Sequence, residues 1–333
     1  ANSNIKFDIY CGNQIYVKVN ELYEKDPSLI EKRKSLLNKL EEGDSEITSF
    51  ASEITTKVLK DQLKTCWRMK ARYDLLNFES HIISSKLWEK TFEKMRNENI
   101  IIKETEGENI GCWVFDSDDE GSKIIVRNDG TATYIAKDIP YALLKVGTIE
   151  DPFIYQVFMK QWDDTTLWIS TTDDLNDTTQ PFFFPAEDSI TVIDNRQTRL
   201  QKIIKEILNK FESKSNRYMH LAYGPVLLSS RTAKTLGINP DNVKSVQMSG
   251  RKGIYVDADF VLDTLYGKAK EETMKRNPEI TGKDLERTSE EIAISAMRYS
   301  LIKNDLEKEI KFDMIDSLSL DGNSGPYLQY AYA

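Results

Sequence analysis

The chain has 333 residues, a net charge of −9 and a composition that is 40% hydrophobic and 30% charged. That fits a folded protein of one or two domains and excludes a disordered chain. It also argues against a general polyanion binder, so any nucleic-acid contact must come from a local basic patch. No apolar run approaches the ~18 residues needed to cross a bilayer, so no membrane contact is expected. Cys11, Cys66 and Cys112 form no CxxC pair, and only His81 and His220 occur. These counts argue against a disulfide framework, a Cys/His metal site or a readable Ser-His-Asp centre, and fit the reducing cytoplasm.

Residues 20–72 read as helical. Asp26-Pro27 is an N-cap with proline in the first turn. Leu29, Ile30, Leu36, Leu37 and Leu40 follow at helical spacing, and Gly43 ends the segment. A second helix is expected over 46–70, with Ile47, Phe50, Ile54, Val58 and Trp67 facing inward. The mixed charges Lys32, Arg33, Lys34, Glu41 and Glu42 mark this region as an exposed helical insertion. From 73 the pattern changes to a strand and turn, reaching Glu79, and then a charged helix over 86–99. Short strands are expected at 110–115, 124–126, 131–135, 153–158 and 167–171. Asp129-Gly130 forms a hairpin turn between the second and third of these. A polar, proline-bearing loop spans 173–188.

Ser189-Ile190-Thr191-Val192-Ile193 is a run with the look of a buried parallel strand. It feeds the turn Asp194-Asn195-Arg196-Gln197. A helix follows, with Leu200, Ile203, Ile204, Ile207, Leu208 and Phe211 on one face. Residues 218–223 form the next strand. Such alternation predicts an α/β fold with a parallel sheet, whose ligands sit beyond the carboxyl ends of the strands. After 256 the chain is helical again, with Thr288-Ser289-Glu290-Glu291 as a capping box. A turn-rich stretch at 321–326 leads into the first turns of another helix at Tyr327. No internal repeat is present.

Two stretches carry chemistry. Gln247-Met248-Ser249-Gly250-Arg251-Lys252-Gly253 is a small basic turn between β-branched segments. It suits a polyphosphate, although a solvated loop has the same composition. Tyr134 and Asp138 lie four residues apart at a strand-to-helix transition, where both can enter one cleft. An aromatic face and a carboxylate suit a guanidinium ligand, while a hairpin leading into a helix capped near Asp138 accounts for the same residues without a ligand. Glu79 adds a second carboxylate and Gln197 an amide carbonyl; each also fits an ordinary surface position.

Four motifs together resemble a class I aminoacyl-tRNA synthetase, specifically arginyl-tRNA synthetase of archaeal type. The stretch from Val126 through Asn128-Asp129-Gly130-Thr131-Ala132-Thr133-Tyr134 to Asp138-Ile139 is similar to the family's DGTxTYxxRDI segment. Asp194-Asn195-Arg196-Gln197 resembles its post-strand glutamine motif, and residues 247–253 its xMSxRKG variant of the KMSKS loop. Gly322-Asn323-Ser324-Gly325-Pro326-Tyr327-Leu328-Gln329-Tyr330-Ala331 resembles the GNTGPYLQYA stretch opening its C-terminal helical domain. The four stand in family order.

The resemblance implies a Rossmann-like catalytic half with a helical insertion and a helical linker, acting as an arginine–tRNA ligase. Its partners would be ATP with Mg²⁺, L-arginine and tRNA(Arg), with no resident metal site and a monomer as the default state. Tyr134, Asp138, Glu79 and Gln197 match arginine-pocket residues. Met248, Ser249, Gly250, Arg251 and Lys252 match the ATP-side loop, with Ser249, Arg251 and Lys252 in catalytic roles. Gln247 and Gly250 stand where lysines often sit, so Arg251 and Lys252 would carry the charge, and Lys137 replaces the usual arginine before Asp138. The His-Ile-Gly-His signature is missing, and the chain lacks an initiator Met. The expectation is therefore an internal fragment, inactive alone, divided into an insertion (1–72), a catalytic half (73–265) and a linker (266–333). The alternative is a synthetase-like RNA-binding or regulatory protein without catalysis.

Overall fold

A computed structural model describes residues 5–332, apart from 42–43, 173–180, 212–217, 236, 238–244, 251–254, 318 and 320–321. The fold is mixed α/β, and its contacts divide into two compact units, residues 73–224 and residues 1–72 with 225–333. Residues 225–265, grouped by sequence pattern with the strands before them, contact the flanking helices instead.

In the first stretch, α1 (Phe7–Ile9) passes through a π-helical segment, Tyr10–Tyr16, into α2 (Val17–Lys25). The sequence reading began this helix only near residue 20. α3 (Ser28–Glu41) starts where Asp26 accepts the Ser28 amide at 3.0 Å. α4 (Ser45–Arg68) is capped by Asp44, which accepts the amides of Glu46 and Ile47 at 3.2 Å each. The α3 stripe of Ile30, Leu36, Leu37 and Leu40 is exposed, as an insertion allows, but Phe50, expected inside, is also exposed. Gly43 lies outside the described residues.

The unit 73–224 opens with β1 (Leu75–Leu76), α5 (Glu79–Ser84) and α6 (Leu87–Asn97). β2 (Ile102–Lys103), β3 (Trp113–Ser117) and β4 (Gly121–Val126) form an antiparallel sheet. α7 (Tyr134–Lys145) follows, and then β5 (Ile154–Lys160) and β6 (Thr166–Thr171) form an antiparallel pair, with β1 parallel to β6. β7 (Ser189–Asp194) leads into α8 (Thr198–Lys210) and then β8 (Tyr218–Tyr223), which pairs with β7 in parallel over six residues. The expected strand over 131–135 does not form. A single bridge joins Val126 to Ala132, and the helix begins at Tyr134.

The apolar stripe of α8 explains where the core sits. Ile203, Ile204, Ile207 and Leu208 are buried against Ile139, Leu143, Ile125 and Phe115. Burying such side chains contributes roughly 1.5–3 kcal/mol each. The covered face of β7–β8 carries Ser189 and Tyr218, while Ile190, Val192, Met219 and Leu221 alternate onto an exposed face.

In the other unit, β9 (Val226–Ser229) is followed by α9 (Ser230–Thr235) and β10 (Ser245–Gln247). α10 (Ala258–Arg276) and α11 (Gly282–Ile302) come next. β11 (Ile310–Phe312), α12 (Met314–Ser317) and α13 (Gly325–Tyr332) complete the chain. β9 pairs with β10 antiparallel and with β11 in parallel. Thr288-Ser289-Glu290-Glu291 lies inside α11 and does not start it. The Ser289 hydroxyl donates to the Leu285 carbonyl at 2.7 Å, a back-bond open to any serine within a helix.

Candidate active site

The site is built on the first turn of α7. The turn before it closes as the sequence predicts: Gly130 has φ +84° and Asp129 accepts the Thr131 amide at 2.8 Å. Thr133 then ties the helix start to β4, its amide donating to Ile125 O at 2.9 Å and its hydroxyl reaching the carbonyls of Ile124 and Ile125 at 3.0 Å. Those anchors override the strand propensity of residues 131–135. They place Tyr134 and Asp138 one turn apart on one face of α7, a tighter arrangement than a strand-to-helix junction would give. Tyr134 is 65% exposed, so its ring is open for stacking.

Asp138 is half-buried, and among the described residues its carboxylate accepts no hydrogen bond and joins no ion pair. Burial pushes its pKa up, the Glu79 carboxylate pushes it further, and the Lys145 ammonium opposes both. Glu79 and Asp138, distant in sequence, are thus brought within electrostatic reach. Lys145 lies two turns along α7 from Asp138, its Nζ 4.6 Å from the centre of the Tyr141 ring. Burial lowers its pKa and Asp138 raises it. Asp138 therefore carries a carboxylate under partial burial, with a second carboxylate and one ammonium in electrostatic reach, one helical turn from the exposed Tyr134 ring.

Gln197 ends a short 3₁₀ turn, Asn195–Gln197, just past the carboxyl end of β7, where the sequence places it. Asp194 shapes that turn by accepting the Arg196 amide at 2.8 Å and its Nε at 2.7 Å. One turn further along α8, Gln201 accepts the Tyr218 hydroxyl at 2.6 Å, and that oxygen in turn accepts from Thr191 at 3.0 Å. Burial and the nearby Asp138 raise the Tyr218 pKa. Sequence reasoning missed this bridge between α8 and the strands. The available signal was Gln201, a polar residue within an apolar stripe. Asn77 was missed as well: its amide donates to the Tyr141 hydroxyl at 2.5 Å, tying the segment before Glu79 to α7. Burial and Asp151 push the Tyr141 pKa up to about 12.

The far end of α7 is closed as tightly. Gly147 has φ +78°, its amide donates to Leu144 O at 3.0 Å, and a Cβ there would lie 2.6 Å from Cβ of Pro185. The Ala186 amide donates to Lys145 O at 2.8 Å.

The expected ATP-side loop belongs to the other unit. Met248 packs against an apolar cluster that includes Leu228, Val261 and Leu265. Ser249 is half-buried, and Gly250 is exposed with nothing within 4 Å of where a Cβ would be. Gly250 borders a hollow of about 220 Å³ with Asn13, Tyr255 and Asp257. Arg251 and Lys252 lie outside the described residues. No cluster of three or more His, Cys, Asp or Glu residues able to hold a metal occurs among the described residues.

The comparisons with known proteins agree with one another. The profile of the family described as tRNA synthetases class I (R), catalytic domain, matches residues 2–171. An arginine–tRNA ligase of Thermococcus sibiricus is 31% identical over 300 residues, 87% of this chain and 44% of that protein. The ligase of Thermococcus kodakarensis is 32% identical over 330 residues, 96% of this chain and 48% of that protein. The solved arginyl-tRNA synthetase of Thermus thermophilus superposes with a TM-score of 0.76 at 28% identity, covering 93% of this chain and 49% of that one. The chain spans just under half the length of these relatives. It belongs to the class I arginyl-tRNA synthetase catalytic-domain family.

Proposed function

We propose that the chain serves arginine–tRNA ligation: ATP-dependent activation of L-arginine to arginyl-adenylate, then transfer to the 3′ end of tRNA(Arg). The observation that carries this reading is the placement of Asp138 one helical turn from the open Tyr134 ring on α7, with Glu79 in electrostatic reach. In it the two carboxylates accept the guanidinium and α-amino groups of arginine, Tyr134 packs on the substrate, and Gln197 supplies an amide. A guanidinium beside a carboxylate whose pKa is raised draws that pKa back down, so the pocket favours a cationic ligand.

Activation develops negative charge as the arginine carboxylate attacks the α-phosphate. Arg251 and Lys252, presented on the turn with Met248, Ser249 and Gly250, are the groups assigned to stabilise it. Magnesium would enter with ATP as part of the substrate. No helix among the described residues is long and apolar enough to cross a membrane; the cytoplasm is the proposed compartment.

Arginine-dependent exchange of pyrophosphate into ATP by the full-length protein tests the proposal. Asp138→Ala should raise the KM for arginine roughly ten- to a hundredfold, the scale of a lost charge-assisted pair, and leave that for ATP nearly unchanged. An equal rise in both constants would remove Asp138 from the arginine pocket.

A further inference from the structure

A second cavity, of about 370 Å³, opens between α6 and the β2–β3–β4 sheet. It is lined by none of Glu79, Tyr134, Asp138 or Gln197. Its size falls in the range of small-ligand sites, roughly 300–1,000 Å³. One side is aromatic: Trp88 and Phe92 come from α6, and Trp113 opens β3. Trp88 and Phe92 lie 5.8 Å apart between ring centres, and Phe92 meets Trp113 edge-on at 5.3 Å. All three are only half-buried, so part of each ring faces the cleft.

The other side is cationic. Lys103 and Arg127 are exposed on the rim beside Asn128. Lys103 forms no ion pair among the described residues, and Arg127 feels the field of Asp129. Gly111 and Gly130, with φ +83° and +84°, border the cleft without side chains, and at Gly130 nothing lies within 4 Å of a would-be Cβ.

These features select a ligand class. Exposed indole faces take a flat aromatic group, and two cations beside them take an anion. A purely apolar ligand would leave Lys103 without a role, and a bare anion would leave the rings without one. No carboxylate lines the cleft, in a chain whose net charge is −9. A nucleobase joined to a phosphate answers both sides, and only an unpaired base presents its face for stacking. Asn128, in the lining, offers an amide to a base edge.

We propose that this cleft holds one unpaired nucleotide of an RNA strand, its base stacked on the Trp88–Trp113 side and its phosphate on Lys103 and Arg127. That the RNA is a tRNA rests on the preceding reading; the stacking site itself does not.

The test uses this chain and an unstructured heptaribonucleotide, following quenching of tryptophan fluorescence. Saturable quenching is expected, with binding weakened roughly tenfold in Trp88→Leu, the scale of one lost base stack. Lys103→Glu and Arg127→Glu, both at exposed positions, should each lower the slope of log affinity against log salt by about 1. Circular dichroism confirms that each variant is folded, and the two charge variants keep the test intact where Trp88→Leu is not. Absence of binding, affinity unchanged in the folded variants, or equal affinity for a blunt RNA duplex would each overturn the proposal. Oligonucleotide binding without arginine activation by the full-length protein would leave the cleft standing and remove the ligase reading. The reverse result would remove only the cleft.

Discussion

Asp138, in the second turn of α7, and Asp313, just before α12, are carboxylates in the two compact units, and they are treated in opposite ways. Asp313 precedes α12 and is saturated with donors. It accepts the amides of Ile315 at 2.9 Å and Asp316 at 3.1 Å, the Ser229 hydroxyl at 2.7 Å, and Arg231 at 2.7 and 3.0 Å. Although burial works against it, the Arg231 and Ser229 bonds hold its pKa down at about 2. Asp138 has burial and a second carboxylate, with only the Lys145 ammonium to oppose them, and its pKa rises. The first arrangement stabilises a fold. The second leaves a carboxylate under-stabilised in the fold, which is what the proposed arginine pocket requires of it.

The comparison is broken most directly at Asp313. Asp313→Ala should cost roughly 2 kcal/mol of unfolding free energy in urea titrations, by losing a cap and charge-assisted bonds. A loss below the error of the titration would show that the network is ornamental. Acid sharpens it next. The folded pKa of Asp313 lies below the unfolded value of about 3.9, so its contribution is complete above that pH and is lost as pH falls through about 2. Asp313→Asn should flatten this acid limb of the stability curve.

Asp138 has the reverse sign. Its folded pKa is raised, so the ionised form weakens the fold above that pKa, and the penalty disappears as pH falls below the ordinary carboxylate range. Asp138→Asn should therefore give no loss, or a small gain, in the urea midpoint at neutral pH. A clear loss would mean that an unseen donor supports the carboxylate. The smallest effect is expected from Glu79→Gln, which should lower the Asp138 pKa in a carboxyl carbon NMR titration. An unmoved titration would leave burial as the sole cause of the shift.

Where one physical signal dominated, the sequence was readable. The parallel strand beginning at Ser189 and the 218–223 strand follow from β-branched and apolar runs, and α8 from a stripe at period 3.6, but the burial expected of the 189–193 run is not found, since Ile190 and Val192 are exposed. The spacing pairs Tyr134 with Asp138 across an expected strand-to-helix junction, whereas both lie on α7. What stayed hidden depends on contacts between distant residues. The electrostatic reach of Glu79 to Asp138 is a long-range matter, and the Asn77–Tyr141 bond that ties the segment before Glu79 to α7 joins residues 64 apart. The start of α7 was misplaced because Thr133 is fixed by the carbonyls of β4, which no local propensity reports. Phe50 was assigned inward because periodicity defines a face of a helix without saying whether anything covers it.

Gly147 closes α7 with its Cα turned toward Pro185, in a backbone conformation that side chains resist and a gap that a methyl group would overfill. In the vocabulary of mutational libraries, the position has an alphabet of one letter. Randomised to all twenty residues and sorted for folded protein, it should return glycine alone, while exposed Tyr134, thirteen residues earlier, should return many letters.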